Sequence, residues 1–88
     1  MDIENLIKNI KTKLLNNSFI QNIKIEDKTY LHKKHASHDK NKFHIKLTIY
    51  LNNPKNISRL DLTKKINKIL EEEIKNQIHS IQILFEQV

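Results

Sequence analysis

The sequence contains no cysteine and no glycine, one proline, Pro54, and one arginine, Arg59. Without cysteine there is no disulfide and no thiol redox chemistry, and the chain alone cannot hold a thiolate-rich metal or iron–sulfur centre. Any such centre needs sulfur from a partner. Without glycine there is no glycine-rich loop to cradle a phosphate. No Ser–His–Asp or paired-carboxylate arrangement stands out either, so no catalytic residue is assigned and the chain reads as a non-enzyme. No apolar stretch approaches the roughly 18 residues of a membrane span, and no membrane partner is expected. The N-terminal segment opens a helical pattern carrying Asp2 and Glu4, unlike a signal or transit peptide. With the missing cysteine, this is compatible with a reducing cytoplasm. The 88 residues form one small domain, residues 1–88. Such a domain buries about 60–65% of its unfolded surface and has little room for an enclosed cleft.

The formal net charge is +6, and all but one of the 16 basic residues are lysine. Base-specific readout leans on the bidentate arginine fork, of which there is one. Lysines supply salt-sensitive phosphate binding. The charge permits a nucleic-acid partner without specifying one.

What the chain does have is histidine, five in all. Three recur as His32-x-x-His35-x-x-His38 in a polar stretch, and a fourth stands in Ile78-His79-Ser80-Ile81. Imidazole titrates near neutrality and is the commonest metal ligand, so a loop histidine and the distant His79 suggest a ligand pair. Plainer roles compete. His79 at a helix C-terminus would be favoured by the helix dipole, and the three loop histidines are also ordinary solvated residues. A zinc site built from the loop alone lacks the fixed geometry of three or four ligands. His44 reads as pointing to solvent and is given no role.

Periodicity sets the frame. Ile3, Leu6, Ile7, Ile10 and Leu14 recur at helical spacing up to a stop at Asn16-Asn17-Ser18. Phe19 to Glu26 alternates, and so does Phe43 to Tyr50, with Phe43, Ile45, Leu47 and Ile49 inward and His44, Lys46, Thr48 and Tyr50 outward. Between them lies a long polar loop of about residues 28–41, and structureless loops of this length are often functional. Ser58-x-x-Asp61 opens a second helix carrying Leu62, Ile66, Ile69, Leu70 and Ile74, about four turns, with Glu71 to Glu73 on its solvated face. Ile81, Ile83 and Phe85 form a short closing strand. The order predicts an α+β fold: an α-β-β-α-β domain, a three-stranded mixed sheet with two helices packed on one face. Asp27, at the end of the first strand, is expected to cap the loop by a local side chain–backbone hydrogen bond.

That order, together with Asp27-Lys28-Thr29-Tyr30-Leu31-His32 and Ile78-His79-Ser80-Ile81, resembles the BolA family over nearly the whole chain. The family pattern is an Asp-x-Ser-x-x-His run, a His-Phe pair opening the second strand and a His after the second helix. Asp27, Thr29, His32, Phe43 and His79 fall at those positions. Thr29 replaces Ser and keeps the hydroxyl. Lys42 stands where the family has His, and Leu62-Thr63-Lys64 occupies the place of an Arg-His-Arg signature tied to nucleic-acid contact. The resemblance implies a fold similar to the type II KH domain. A KH clamp grips nucleic acid through a Gly-x-x-Gly loop, and a chain without glycine has none.

The resemblance also implies a partner, a monothiol glutaredoxin with glutathione, and a shared 2Fe-2S cluster, with none tightly bound by the isolated chain. The partner's thiolates would meet His79 and a second ligand from the loop, His32, with His35 and His38 as alternates. Ligating imidazole must be unprotonated, so such sharing weakens in acid. The competing reading is a DNA-binding transcriptional regulator of stress response and cell morphology, with Arg59, Lys64, Lys65 and Lys68 as contacts. The chain is expected to be a monomer by itself, with a homodimer the other arrangement left open.

Overall fold

A computed structural model of the chain describes residues 3–29, 42–52 and 57–87. Helix α1 spans Ile3–Leu15, followed by strands β1, Ile20–Asp27, and β2, Phe43–Leu51. Helices α2, Arg59–Ile69, and α3, Glu71–Asn76, lead into β3, Ile78–Gln87. The three strands form one sheet in the order β1-β2-β3; β1 pairs antiparallel and β3 parallel to the central β2. The mixed sheet of the expected α+β fold is present, with three helices in place of the expected two. His32, His35, His38 and Pro54 lie outside the described residues.

Each element follows from its pattern. In α1 the residues at helical spacing, Leu6, Ile10 and Leu14, are fully buried, and Asn17 ends the helix by donating from Nδ2 to the Lys13 carbonyl at 2.9 Å. The alternation of β2 sends Ile45, Leu47, Ile49 and Leu51 into the same core as Leu62, Ile66 and Leu70. Ser58 caps α2 by accepting from the Asp61 N–H at 3.1 Å.

Three expectations change. The single second helix is two, because the backbone at Leu70 leaves the helical region (φ −99°, ψ 18°) while its side chain stays fully buried. Ile74 N–H still reaches the Leu70 carbonyl at 2.9 Å, so α3 follows α2 directly. Glu73 is not on the solvated face with Glu71 and Glu72 but buried against α1, because it follows Leu70 by three residues and Ile66 by seven and so shares their buried helix face. There the Lys13 ammonium donates to both Glu73 carboxylate oxygens, at 2.9 and 2.8 Å. Third, the closing strand begins earlier than the Ile81 to Phe85 alternation, at Ile78, because it pairs with β2 along the whole of that strand.

Candidate functional site

The ends of the three strands meet at one corner of the sheet. At the end of β1, the Asp27 carboxylate accepts from the Thr29 N–H at 3.0 Å and also from the Thr29 hydroxyl. This is the local cap expected of Asp27, a side-chain turn of the kind Asp favours. Thr29 then does more than close a turn. Its hydroxyl oxygen accepts from the backbone N–H of His44 at 3.1 Å, and the His44 carbonyl accepts from the Lys28 N–H at 2.7 Å. Both sides of the segment 30–41 are therefore anchored to each other, one at the end of β1 and the other at the start of β2. The threonine in the Asp-x-Thr run serves this purpose through its hydroxyl, which serine shares.

The third strand joins through Phe43, whose N–H donates to the Gln77 carbonyl at 2.9 Å where α3 gives way to β3. Phe43 pairs with Ile78, but His44 pairs with Ser80. The ladder skips His79. A residue left over at such an irregularity is released from the alternation and re-aimed. His79 is accordingly exposed, whereas its neighbour Ile78 is buried. It is a strand residue and not a helix cap, because α3 ends at Asn76 with the Gln77 N–H donating to the Glu73 carbonyl.

Against His79 lies the ring of His44, with centroids 4.8 Å apart and planes tilted by 49°. Sequence alternation placed His44 on the outer face, open to water; the structure leaves it only 5% exposed. The reason is strand order. A residue on the outer face of a central strand is flanked on both sides, and His44 has Lys28 along one flank and Ser80 along the other. Its Nδ1 is 2.7 Å from Ser80 Oγ, a hydrogen bond in which the tautomer decides the donor. Lys28, His44, Lys46, Ser80 and Gln82 line a shallow open depression on this face.

Charge nearby is mixed. Partial burial works against ionisation of Glu26, yet the ammonium groups of Lys28, Lys24 and Lys46 outweigh it and hold the carboxyl below its usual value. Lys28 Nζ is 3.4 Å and Lys46 Nζ 4.0 Å from the Glu26 carboxylate.

Among the described residues no three His, Cys, Asp or Glu side chains gather as a metal site. The basic residues of the competing reading are Arg59, Lys64, Lys65 and Lys68, all exposed on α2. Lys65 is engaged, with its ammonium 5.5 Å from the centre of the Phe19 ring. Because α2 follows the far end of β2, while α3 delivers the chain to the start of β3, Arg59 and His79 lie at opposite ends of the sheet. Sequence reading missed His44 and Ser80. The available signal was the pairing of a second-strand opening, Phe43-His44, with a third-strand opening, His79-Ser80, in a parallel register.

A family model described as BolA-like protein matches residues 15–86. Among solved structures, BolA1 from Arabidopsis thaliana superposes with a TM-score of 0.73 at 20% identity, over 91% of this chain and 88% of that one. The BolA domain of SufE1 from Arabidopsis thaliana gives 0.73 at 23% identity, over 99% and 94%. A bol-like protein from Babesia bovis gives 0.67 at 15%, over 91% and 81%. These likenesses establish the fold. No curated protein matches the sequence significantly.

Proposed function

This chain belongs to the BolA-like protein family, and from that premise we propose that it is a non-enzymatic adaptor for a monothiol glutaredoxin, with which it shares or transfers a 2Fe-2S cluster in iron–sulfur cluster assembly or iron homeostasis. The observation that carries the reading is an exposed imidazole, His79, set free from the strand ladder at the corner where all three strands converge. The cluster is cargo. Its thiolates come from the glutaredoxin cysteine and from glutathione, since this chain has no cysteine to offer.

His79 supplies one nitrogen from a fixed strand. The second comes from the segment that leaves Thr29, with His32 the leading residue and His35 and His38 the alternates. Thr29 and His32 are three residues apart, at most about 10 Å of extended chain, and Thr29 is itself hydrogen-bonded to Asp27 and to His44, which supports His32 as the leading second ligand. Imidazole in place of thiolate on one iron raises the cluster's reduction potential, which distinguishes a mixed complex from a glutaredoxin homodimer.

The test is visible circular dichroism during addition of this chain to cluster-loaded monothiol glutaredoxin. A new chiral spectrum is expected with wild type and none with His79→Ala; His32→Ala assigns the second ligand. A wild-type titration that leaves the spectrum unchanged removes the reading. The competing reading, a DNA-binding regulator, draws on the exposed Arg59, Lys64 and Lys68. It requires binding that falls steeply with salt, weakens in Lys64→Glu and Lys65→Glu, and ignores His79→Ala.

A further inference from the structure

We infer that His44, clamped by Ser80, is a positioning residue for the His79 imidazole; this rests on the reading of His79 as a ligand. An exposed imidazole on a strand samples several rotamers, and fixing it on binding costs entropy. Here it is not left to solvent alone. The His44 ring lies beside it, with centroids 4.8 Å apart. A centroid separation of this size with tilted planes lies within the range that aromatic rings favour.

A wall orients its neighbour only if it is itself fixed, and His44 is fixed at every level. Its backbone N–H and carbonyl are held by Thr29 and Lys28. Its side chain is 5% exposed, and its Nδ1 is 2.7 Å from Ser80 Oγ. Ser80 is the residue next to His79, on the other side of the skipped rung. The same irregularity that frees His79 therefore brings Ser80 onto the ring that orients it. His44 is not itself the second ligand in this arrangement. One ring nitrogen is committed to Ser80, and the other is shut off from solvent.

Groups that orient a ligating histidine from behind typically change metal affinity by 10–100-fold. Four variants separate the possibilities: His44→Ala, His44→Phe, Ser80→Ala and His79→Ala. The first readout needs no cluster. Long-range nitrogen–proton NMR of the isolated chain follows the His79 ring, which is expected to lose its ring-current shift in His44→Ala and keep it in His44→Phe. The second is the apparent affinity for cluster-loaded glutaredoxin by visible circular dichroism. His44→Ala is expected to weaken it by on the order of tenfold. Ser80→Ala should weaken it less, and His44→Phe should recover most of the loss by restoring the wall.

Thermal unfolding accompanies each variant, and should His44→Ala fail to fold, Ser80→Ala at its exposed site carries the test. Unchanged His79 resonances and unchanged affinity in both His44→Ala and Ser80→Ala, beside loss in His79→Ala, would overturn the inference and leave the ligand reading standing. Wild-type behaviour in His79→Ala overturns that reading itself, and the inference with it.

Discussion

At the scale of single residues, two ion-paired carboxylates and one hydroxyl lend themselves to measurement. The Glu73 carboxylate holds the Lys13 ammonium by a hydrogen bond that outweighs partial burial and raises the lysine above its ordinary value of 10.5. A cation raised on folding stabilises the folded state below its unfolded value and loses that contribution as pH rises through the folded one. Thermal midpoints measured above pH 10.5 should therefore fall more steeply in wild type than in Lys13→Met. Glu26 has the opposite sign. Held below 4.5 by its lysines, it stabilises above that pH, and the contribution disappears as acid passes through the lowered folded value. Glu26→Gln should flatten the acid limb of the stability curve; an acid limb identical to wild type would mean the three lysines do not act on it.

Thr29→Val keeps the shape and removes a hydroxyl that donates to Asp27 and accepts from His44. A loss of about 1 kcal/mol by denaturant unfolding is expected, with Thr29→Ser close to neutral. Residue identities did not reveal Glu73 or His44. Glu73 sits in a run of three glutamates that looks wholly solvated, and its partner is 60 positions away. His44 follows the alternation of its strand correctly but is covered by neighbours whose side-by-side placement no local pattern contains.

At the scale of elements, the strands and α1 were legible because burial repeats with the period of the backbone. Ile45, Leu47, Ile49 and Leu51 mark β2, and Leu6, Ile10 and Leu14 mark α1, each without a competing signal. The break between α2 and α3 was not legible. Leu70 is neither glycine nor proline and remains fully buried, so the apolar pattern runs through a position where only the dihedral angles change. After this turn α3 runs to Asn76, and Ile78 and His79 open β3. Ile66→Ala, at a fully buried site on α2, is expected to cost about 2–5 kcal/mol in denaturant unfolding. Ser58→Ala should cost about 1 kcal/mol through the lost cap. A Ser58→Ala loss as large as that of Ile66→Ala would mean that capping, rather than the apolar face, holds α2.

At the scale of the whole molecule, the sheet separates two kinds of chemistry. One corner carries His79, His44 and the anchored sides of segment 30–41; the opposite end carries the start of α2 with Arg59. Neither described end holds a complete metal site, and no helix among the described residues is long and apolar enough to cross a membrane. The shared cluster proposed above would need its sulfur ligands from a partner, since this chain has no cysteine. His79 stood out in the sequence as a lone histidine opening an apolar run. Its setting did not, because the corner is assembled from three strand ends far apart in the chain.

The decisive measurement is pulsed electron paramagnetic resonance of the reduced mixed complex, with this chain alone carrying nitrogen-15 in its histidines. A histidine nitrogen coupling that originates in this chain and is diminished or lost in His79→Ala is the expected result. A reduced cluster with no coupling to the labelled histidines, or with coupling untouched by His79→Ala, would contradict it.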